Sequence, residues 1–370
     1  MKNIVNLGNV ATYINGYAFK PSDWAEDGTP IIRIQDLTGN SYQMNRFKGI
    51  VDSKYDVNSG DVLISWSASL GVYVWNRGNA VLNQHIFKVV FDKEEVDKDF
   101  FVFQIDNLLK RAANQAHGAT MRHLKKPVFD ALPFYLPDIK TQRLISSKLN
   151  LIVHLIEDHH EQLKKLDELI RSRFIEMFGD LINEPKYPGI KLGSLGVMIT
   201  GGTPSRKHDE YYGGNIPFIS TPCLGSNFIS EKNVQNYLTE AGVKNSATHK
   251  IPPYSLMVGN RVGVGKSSIN TCEMCTNQDI LSFVDIDTSR FDLLFLKKVI
   301  DQYSPYFDEH KRGATIQGVP SKVIKDSMVP DVPLEMQKRY TALVKQSDKS
   351  KYREAIFLYL LEDIRICCNI

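Results

Sequence analysis

The sequence predicts an α+β fold: two similar mixed α/β domains, each with a twisted sheet, separated by two long antiparallel helices that form a coiled coil. Three observations predict it. The chain repeats itself at long period. His117-Gly-Ala-Thr-Met-Arg122 answers Arg312-Gly-Ala-Thr-Ile-Gln317, and Gln142 answers Gln337, both at an offset of 195. Asn83-Gln84-His85-Ile86 answers Asn277-Gln278-Asp279-Ile280 at 194, and Leu7-Gly8 answers Leu192-Gly193 at 185. A repeat of that length means two copies of one module, not a solenoid of small units. Each copy carries short β-type runs between turn residues. Between the copies, the apolar residues change to a heptad spacing.

The elements follow in order. Residues 1–137 form the first domain. Its strands are expected at Ile31–Ile34, Val62–Trp66 and Ile86–Phe91, and a helix near Lys98–Ala113. Residues 138–182 form the central helix. Asp138, after Pro137, is placed to cap it, and Ile139–Phe178 would span roughly 60 Å at about 1.5 Å per residue. Ile145, Leu149, Ile152, Ile156, Leu163, Leu166, Ile170 and Phe174 advance by steps of four and three, with one gap at His159. A seam of that kind must bury against a partner, and the helix-helix contact is expected at Ile152, Ile156, Leu163, Leu166 and Ile170. His159 is expected to be a structural or register-setting polar position. Gly179-Asp180 ends the helix and residues 183–186 make a linker. Residues 183–332 repeat the α+β texture, with a strand at Ile216–Ile219 and a helix at Phe291–Tyr303. Residues 333–370 form a second helix from Pro333. Its seam reads Met336, Tyr340, Leu343, then polar Ser347 and Ser350, then Phe357, Leu361 and Ile364.

Composition bounds the function. The chain has 370 residues, 42% of them hydrophobic and 24% charged, as in ordinary globular proteins. Five cysteines, odd in number and unevenly placed, suit a reduced, cytosolic protein. The N-terminus lacks the apolar run of a signal peptide, and no stretch is long enough to cross a membrane. Net charge is only +3, so any surface for nucleic acid must be local.

Motifs for chemistry are sparse. Gly259–Ser267 ends like a phosphate loop, but Asn260 stands where that pattern needs glycine, and Ser268–Thr271 reads as a strand. Cys272 and Cys275 form a single C-x-x-C pair without two further ligands, so no metal site is expected. No H-E-x-x-H, G-x-S-x-G or Asn-Pro-Pro-Tyr-type methyltransferase motif occurs, and no catalytic residue is expected.

Local charge is more informative. From Asp106 to Asp130 no acid intervenes, and from Glu309 to Asp326 none does either. The two basic windows occupy equivalent places in the repeat, which favours phosphate contact over two coincidentally solvated faces. The candidates are Lys110, Arg111, Thr120, Arg122, Lys125 and Lys126 in the first copy, and Lys311, Arg312, Thr315 and Lys322 in the second. Base readout needs side chains with donor–acceptor patterns in segments that differ between the copies. Lys20, Arg33, Gln35 and Arg46 offer this in the first domain, and Arg206, Lys207 and His208 in the second. Asn83-Gln84 and Asn277-Gln278 agree in both copies, which points to a shared structural job. The long, bipartite ligand that two modules on rigid spacers suit is double-stranded DNA. Two other classes compete: a coiled-coil adaptor between proteins, which gives no reason for twinned basic windows, and a phosphate-loop NTPase, which the motif contradicts.

The ordered set of motifs resembles the specificity (S) subunits of type I restriction-modification enzymes. Carrying the resemblance are the Leu7-Gly8 to Ile14-Asn15-Gly16 opening, both Gly-Ala-Thr turns, the Leu-Pro and Val-Pro steps before Gln142 and Gln337, and Arg171–Gly179. It covers essentially the whole chain. The C-terminal helix departs from it in its polar middle and in its Ile366-Cys367-Cys368-Asn369-Ile370 ending. The resemblance implies two target recognition domains, each reading half of a split DNA site, and a helix pair that sets the spacer between the halves. It also implies that the chain is a non-catalytic subunit of a DNA methyltransferase and endonuclease complex. Two modification subunits would dock on the helices and bring S-adenosylmethionine. Restriction subunits would bring ATP and Mg²⁺, with no cofactor bound by this chain.

Overall fold

The computed structural model describes residues 3–40, 43–115, 125–313 and 317–368. By contact density the chain parts into two units, residues 1–160 with 355–370, and residues 161–354.

The first unit is built on two four-stranded sheets. In one, Thr12–Asn15, Ile86–Val90, Val62–Ser65 and Gly71–Val74 lie side by side, all antiparallel. The continuous apolar run of Val62–Ser65 is explained by cover on both faces. Val62 and Ile64 pack with Phe100, Phe101, Ile105 and Leu109 of the helix Lys98–Gln115. Leu63, one residue out of phase, packs with Ile32, Val57, Trp75 and Leu82 on the other side. The second sheet orders Arg46–Phe47, Thr29–Ile32, Ala80–Leu82 and Asp56–Val57, with its central pair parallel. The expected strand Ile31–Ile34 stops at Ile32, because the Asp36 carboxylate accepts from Arg33 N at 2.8 Å and opens one helical turn, Ile34–Leu37.

The second unit repeats this topology. Val197–Thr200, Ile280–Val284, Leu256–Gly259 and Ser267–Asn270 form the antiparallel sheet, extended by a fifth strand, Phe228–Ile229, laid parallel on its edge. Leu256 and Val258 face the helix Leu293–Gln302, and Met257 faces the opposite cluster. Asn236–Leu238, Tyr212–Ile219, Met274–Thr276 and Lys250–Ile251 make the other sheet. The glycine ending each opening motif is required by close approach: a β-carbon at Gly16 would stand 2.1 Å from Asn83 O, and one at Gly201 2.2 Å from Asn277 O. Asn83 Oδ1 accepts from Gln84 N at 2.9 Å, and Asn277 Nδ2 donates to Asp279 at 3.3 Å. The repeated asparagines thus hold their own turns.

Two buried glutamines join the helices to the sheets in the same way. Gln142 Oε1 accepts from Asp97 N at 2.9 Å, and its Nε2 donates to Pro137 O and Glu95 O. Gln337 Oε1 accepts from Asp292 N at 2.9 Å, and its Nε2 donates to Val332 O and Arg290 O. All three partners lie 195 residues apart between the copies, so the repeat is a repeat of hydrogen bonds.

The central helix runs Ile139–Phe178. Asp138 caps it, accepting from Thr141 N at 3.0 Å, and Gly179, at φ +86°, ends it. In the second unit, Phe174 and Phe178 pack edge-on against Tyr340 of the C-terminal helix Leu334–Cys368, and the Tyr340 hydroxyl donates to Ile170 O. Lys351 pairs with Asp167, so these segments run antiparallel. In the first unit the His159 ring lies 4.7 Å from that of Phe357 and fills the gap in the seam. The seam of the C-terminal helix differs from the expectation by one residue. Val344 and Leu358 are buried, while Leu343 and Phe357 are exposed. Tyr340, Ser347 and Leu361 are buried as expected.

Candidate nucleic-acid interface

The basic windows look different once folded. Lys110 is paired with Asp106 at 2.7 Å, Lys126 with Asp130 at 2.8 Å, and Lys311 with Asp308 at 2.6 Å. The two acids that bound the first window are the partners of two of its lysines, Lys110 and Lys126, one helical turn away. Lys126 also leans over the Tyr13 and Phe87 rings, 5.6 and 5.8 Å from their centroids. Arg111, Lys125, Arg312 and Lys322 are exposed and form no ion pair with a described residue. Arg312 is anchored by its backbone, which exchanges two hydrogen bonds with Gly318 at 2.8 and 2.9 Å. Thr120, Arg122 and Thr315 lie outside the described residues.

The base-readout candidates fall into two groups. Arg33 is half-buried and already engaged: its NH1 donates to Asn45 Oδ1 at 2.9 Å, and its guanidinium stands 5.1 Å from the Trp24 ring centroid. Arg46 NH1 donates to Gly28 O at 2.9 Å, although the residue is exposed. Lys20 is exposed and Gln35 half-buried; Lys20 N donates to Asp23 Oδ2 at 2.7 Å, and Gln35 O accepts from Asn40 N. In the second unit Arg206, Lys207 and His208 all lie exposed on one loop. His208 stacks on Tyr211 at 4.8 Å and contacts Glu210 at 3.0 Å; the Glu210 backbone amide first, and His208 second, hold that carboxyl below its usual range. Of the seam residues, Ile156 is buried and Ile152, Leu163, Leu166 and Ile170 are half-buried.

The glycine-rich segment is not a phosphate loop. Its amides serve the chain itself, with Gly259 N donating to Lys266 O and Gly265 N to Gly259 O. Gly263 and Gly265 take positive φ to make the turn, and the chain continues into the strand Ser267–Asn270 rather than a helix. Asn260 O accepts from Val319 N at 2.7 Å, so the segment supports the second basic loop. Arg261, within it, approaches Asp279 at 3.5 Å. Sequence reading missed this arginine because it judged the loop only as a nucleotide site. Cys275 is buried, and burial pushes its thiol up to about 11. Among the described residues, no group of three or more His, Cys, Asp or Glu is placed to hold a metal ion, and no helix is long and apolar enough to cross a membrane.

The type I restriction modification DNA specificity domain matches this chain twice, over residues 2–168 and 187–355. The chain belongs to this family. One match falls on each copy of the repeat, and each takes in one pair of sheets. The EcoBI specificity subunit of Escherichia coli is 25% identical over 170 residues, 45% of this chain and 35% of that protein. The MjaIX specificity subunit of Methanocaldococcus jannaschii is 26% identical over 155 residues, 41% of this chain and 36% of that one. The matched stretches therefore span about a third of the length of these curated relatives. Among solved structures, a chain from a study of assembly and conformational transition in a type I R-M system has a TM-score of 0.67 at 14% identity, covering 99% of this chain and 96% of its own. The type I S subunit from M. genitalium has a TM-score of 0.55 at 12% identity, covering 100% and 95%. At these identities the likeness establishes the specificity-domain fold.

Proposed function

We propose that this chain is the sequence-reading subunit of a type I restriction-modification complex, itself without catalytic residues. The observation that carries the reading is the duplication of a whole specificity domain, topology and glutamine staple included, with different exposed side chains on the two copies. One ligand with two unlike halves explains a conserved frame bearing divergent loops. Each domain reads one half of a bipartite site on double-stranded DNA, phosphates being met by the unpaired cations Arg111, Lys125, Arg312 and Lys322. Residues 1–137 and 183–332 are the readers, and residues 138–182 and 333–370 the helices that set the spacer.

The helices also carry large apolar side chains on their outer faces. Leu144 and Leu151 are exposed on the central helix, and Tyr352, Ile356, Tyr359 and Leu360 on the C-terminal one. Exposed apolar stripes mark protein contacts, here the two modification subunits, which would supply S-adenosylmethionine. Restriction subunits, with ATP and Mg²⁺, would complete a nuclease in the cytoplasm of a prokaryotic cell. Methylated adenines mapped in cells with and without this protein test the reading. A bipartite methylated motif that disappears with the protein is expected; an unchanged methylation map would contradict it.

A further inference from the structure

Arg261 occupies an address that the first domain fills differently. Asn260 N donates to Asp279 O at 3.0 Å, and Trp66 N donates to His85 O at 3.3 Å, so Arg261 corresponds to Ser67. Where the first domain sets the Trp66 and His85 rings 5.1 Å apart, the second sets a cation beside an acid. Arg261 NH1 stands 3.5 Å from Asp279 Oδ1, with the arginine side chain 54% exposed and the aspartate's 13%. That distance orients the guanidinium without consuming its fork of five donors. Asp279 is in turn held by Asn277 Nδ2 at 3.3 Å. Asp279 Oδ1, Asn277 Oδ1 and Asn260 Oδ1 are buried and accept no hydrogen bond from a described residue, whereas buried acceptors ordinarily have donors. The arginine stem passes close enough to Gly318 that a β-carbon there would lie 2.7 Å from its Cγ. The fork therefore projects beside the loop that carries Lys311 and Arg312.

We propose that Arg261 reads a guanine, held in position by the buried Asp279 carboxylate, so that the half-site of the second domain contains a G·C pair read here. The inference rests on the DNA-reading function above. In the major groove guanine presents O6 and N7 as acceptors, and cytosine presents an N4 amino donor beside them. A donor fork held in one orientation by the buried carboxylate matches the guanine pair of acceptors. Adenine would turn its own amino group towards the arginine. Ser67 cannot make the bidentate contact, so the two domains differ at this address as two readers of unlike half-sites must.

The test maps methylated adenines in cells carrying the parent protein, Arg261→Lys, Arg261→Ala or Asp279→Asn in its place. Lysine keeps the charge and loses the fork. The expected result is that one G·C position in one half-site becomes degenerate, discrimination falling about tenfold or more, and that Asp279→Asn relaxes the same position. The other half-site stays intact, which shows that the variant has folded and assembled. Salt dependence of binding to random duplex should be unchanged in Arg261→Lys. If neither arginine variant alters the motif, and Arg261→Ala weakens all sequences equally, Arg261 is a phosphate contact and the proposal fails. Relaxation at an A·T position also overturns it. A parent protein that directs no sequence-dependent methylation would refute the DNA-reading function itself, a separate result.

Discussion

Gln142 and Gln337 each satisfy three backbone groups that tie a long helix to its sheets. Truncation leaves buried amide and carbonyl groups unpaired, so Gln337→Ala is expected to cost roughly 2–4 kcal/mol, with Gln142→Ala close to it. Urea denaturation checks this, and a midpoint unchanged in both variants would show that water replaces the side chain. The repeat made these glutamines conspicuous, but their bonds were not legible, because two of the three partners of each lie 45 and 47 residues upstream. The basic windows show the converse. Their cations were legible and their pairing was not, since Asp106, Asp130 and Asp308 stand at or beyond the edges of the acid-free stretches. The pairing now ranks the candidates. Arg312→Ala should lower the salt slope of DNA binding by about one unit. Lys311→Ala should lower it less, because Asp308 already neutralises that charge. Equal slopes for the two variants would remove the distinction.

At the scale of elements, ends determined by neighbouring residues could be read, and ends determined by distant ones could not. Asp138 and Gly179 mark the central helix by local capping, and both expected ends stand. Two seam positions of the C-terminal helix were misread by one residue, Leu343 for Val344 and Phe357 for Leu358, because adjacent apolar residues offer similar spacing and which one is buried depends on what lies opposite. Leu166, Leu169 and Ile170 face Leu343, Ser347 and Ser350 around a recess of about 260 Å³. Packing here is loose, so truncating half-buried Leu166 should cost about 2 kcal/mol, the low end for such changes. Leu163→Glu costs more through desolvation of the charge, and should abolish high-affinity recognition of the bipartite site while each half still binds DNA weakly. Four residues inserted after Lys164 should lengthen the preferred spacer, since the helix grows by about 6 Å. Unaltered binding by Leu163→Glu and an unaltered spacer in the insertion variant would make the helix a passive linker.

At the scale of the whole molecule, the duplication was legible because it survives at landmark residues, and the family match over residues 2–168 and 187–355 follows it. What differs between the copies was not legible. Among the described residues of the first unit the edge strand Phe228–Ile229 has no counterpart, and the Arg261–Asp279 pair lay hidden in a segment that resembled a nucleotide loop. The central claim is that two independent readers share one frame. The most direct measurement replaces residues 1–137 by the matching domain of a relative and maps methylated adenines genome-wide. The account predicts that one half of the methylated motif changes to that of the donor, while the other half and the spacer remain. A change in both halves, or in neither, would contradict it.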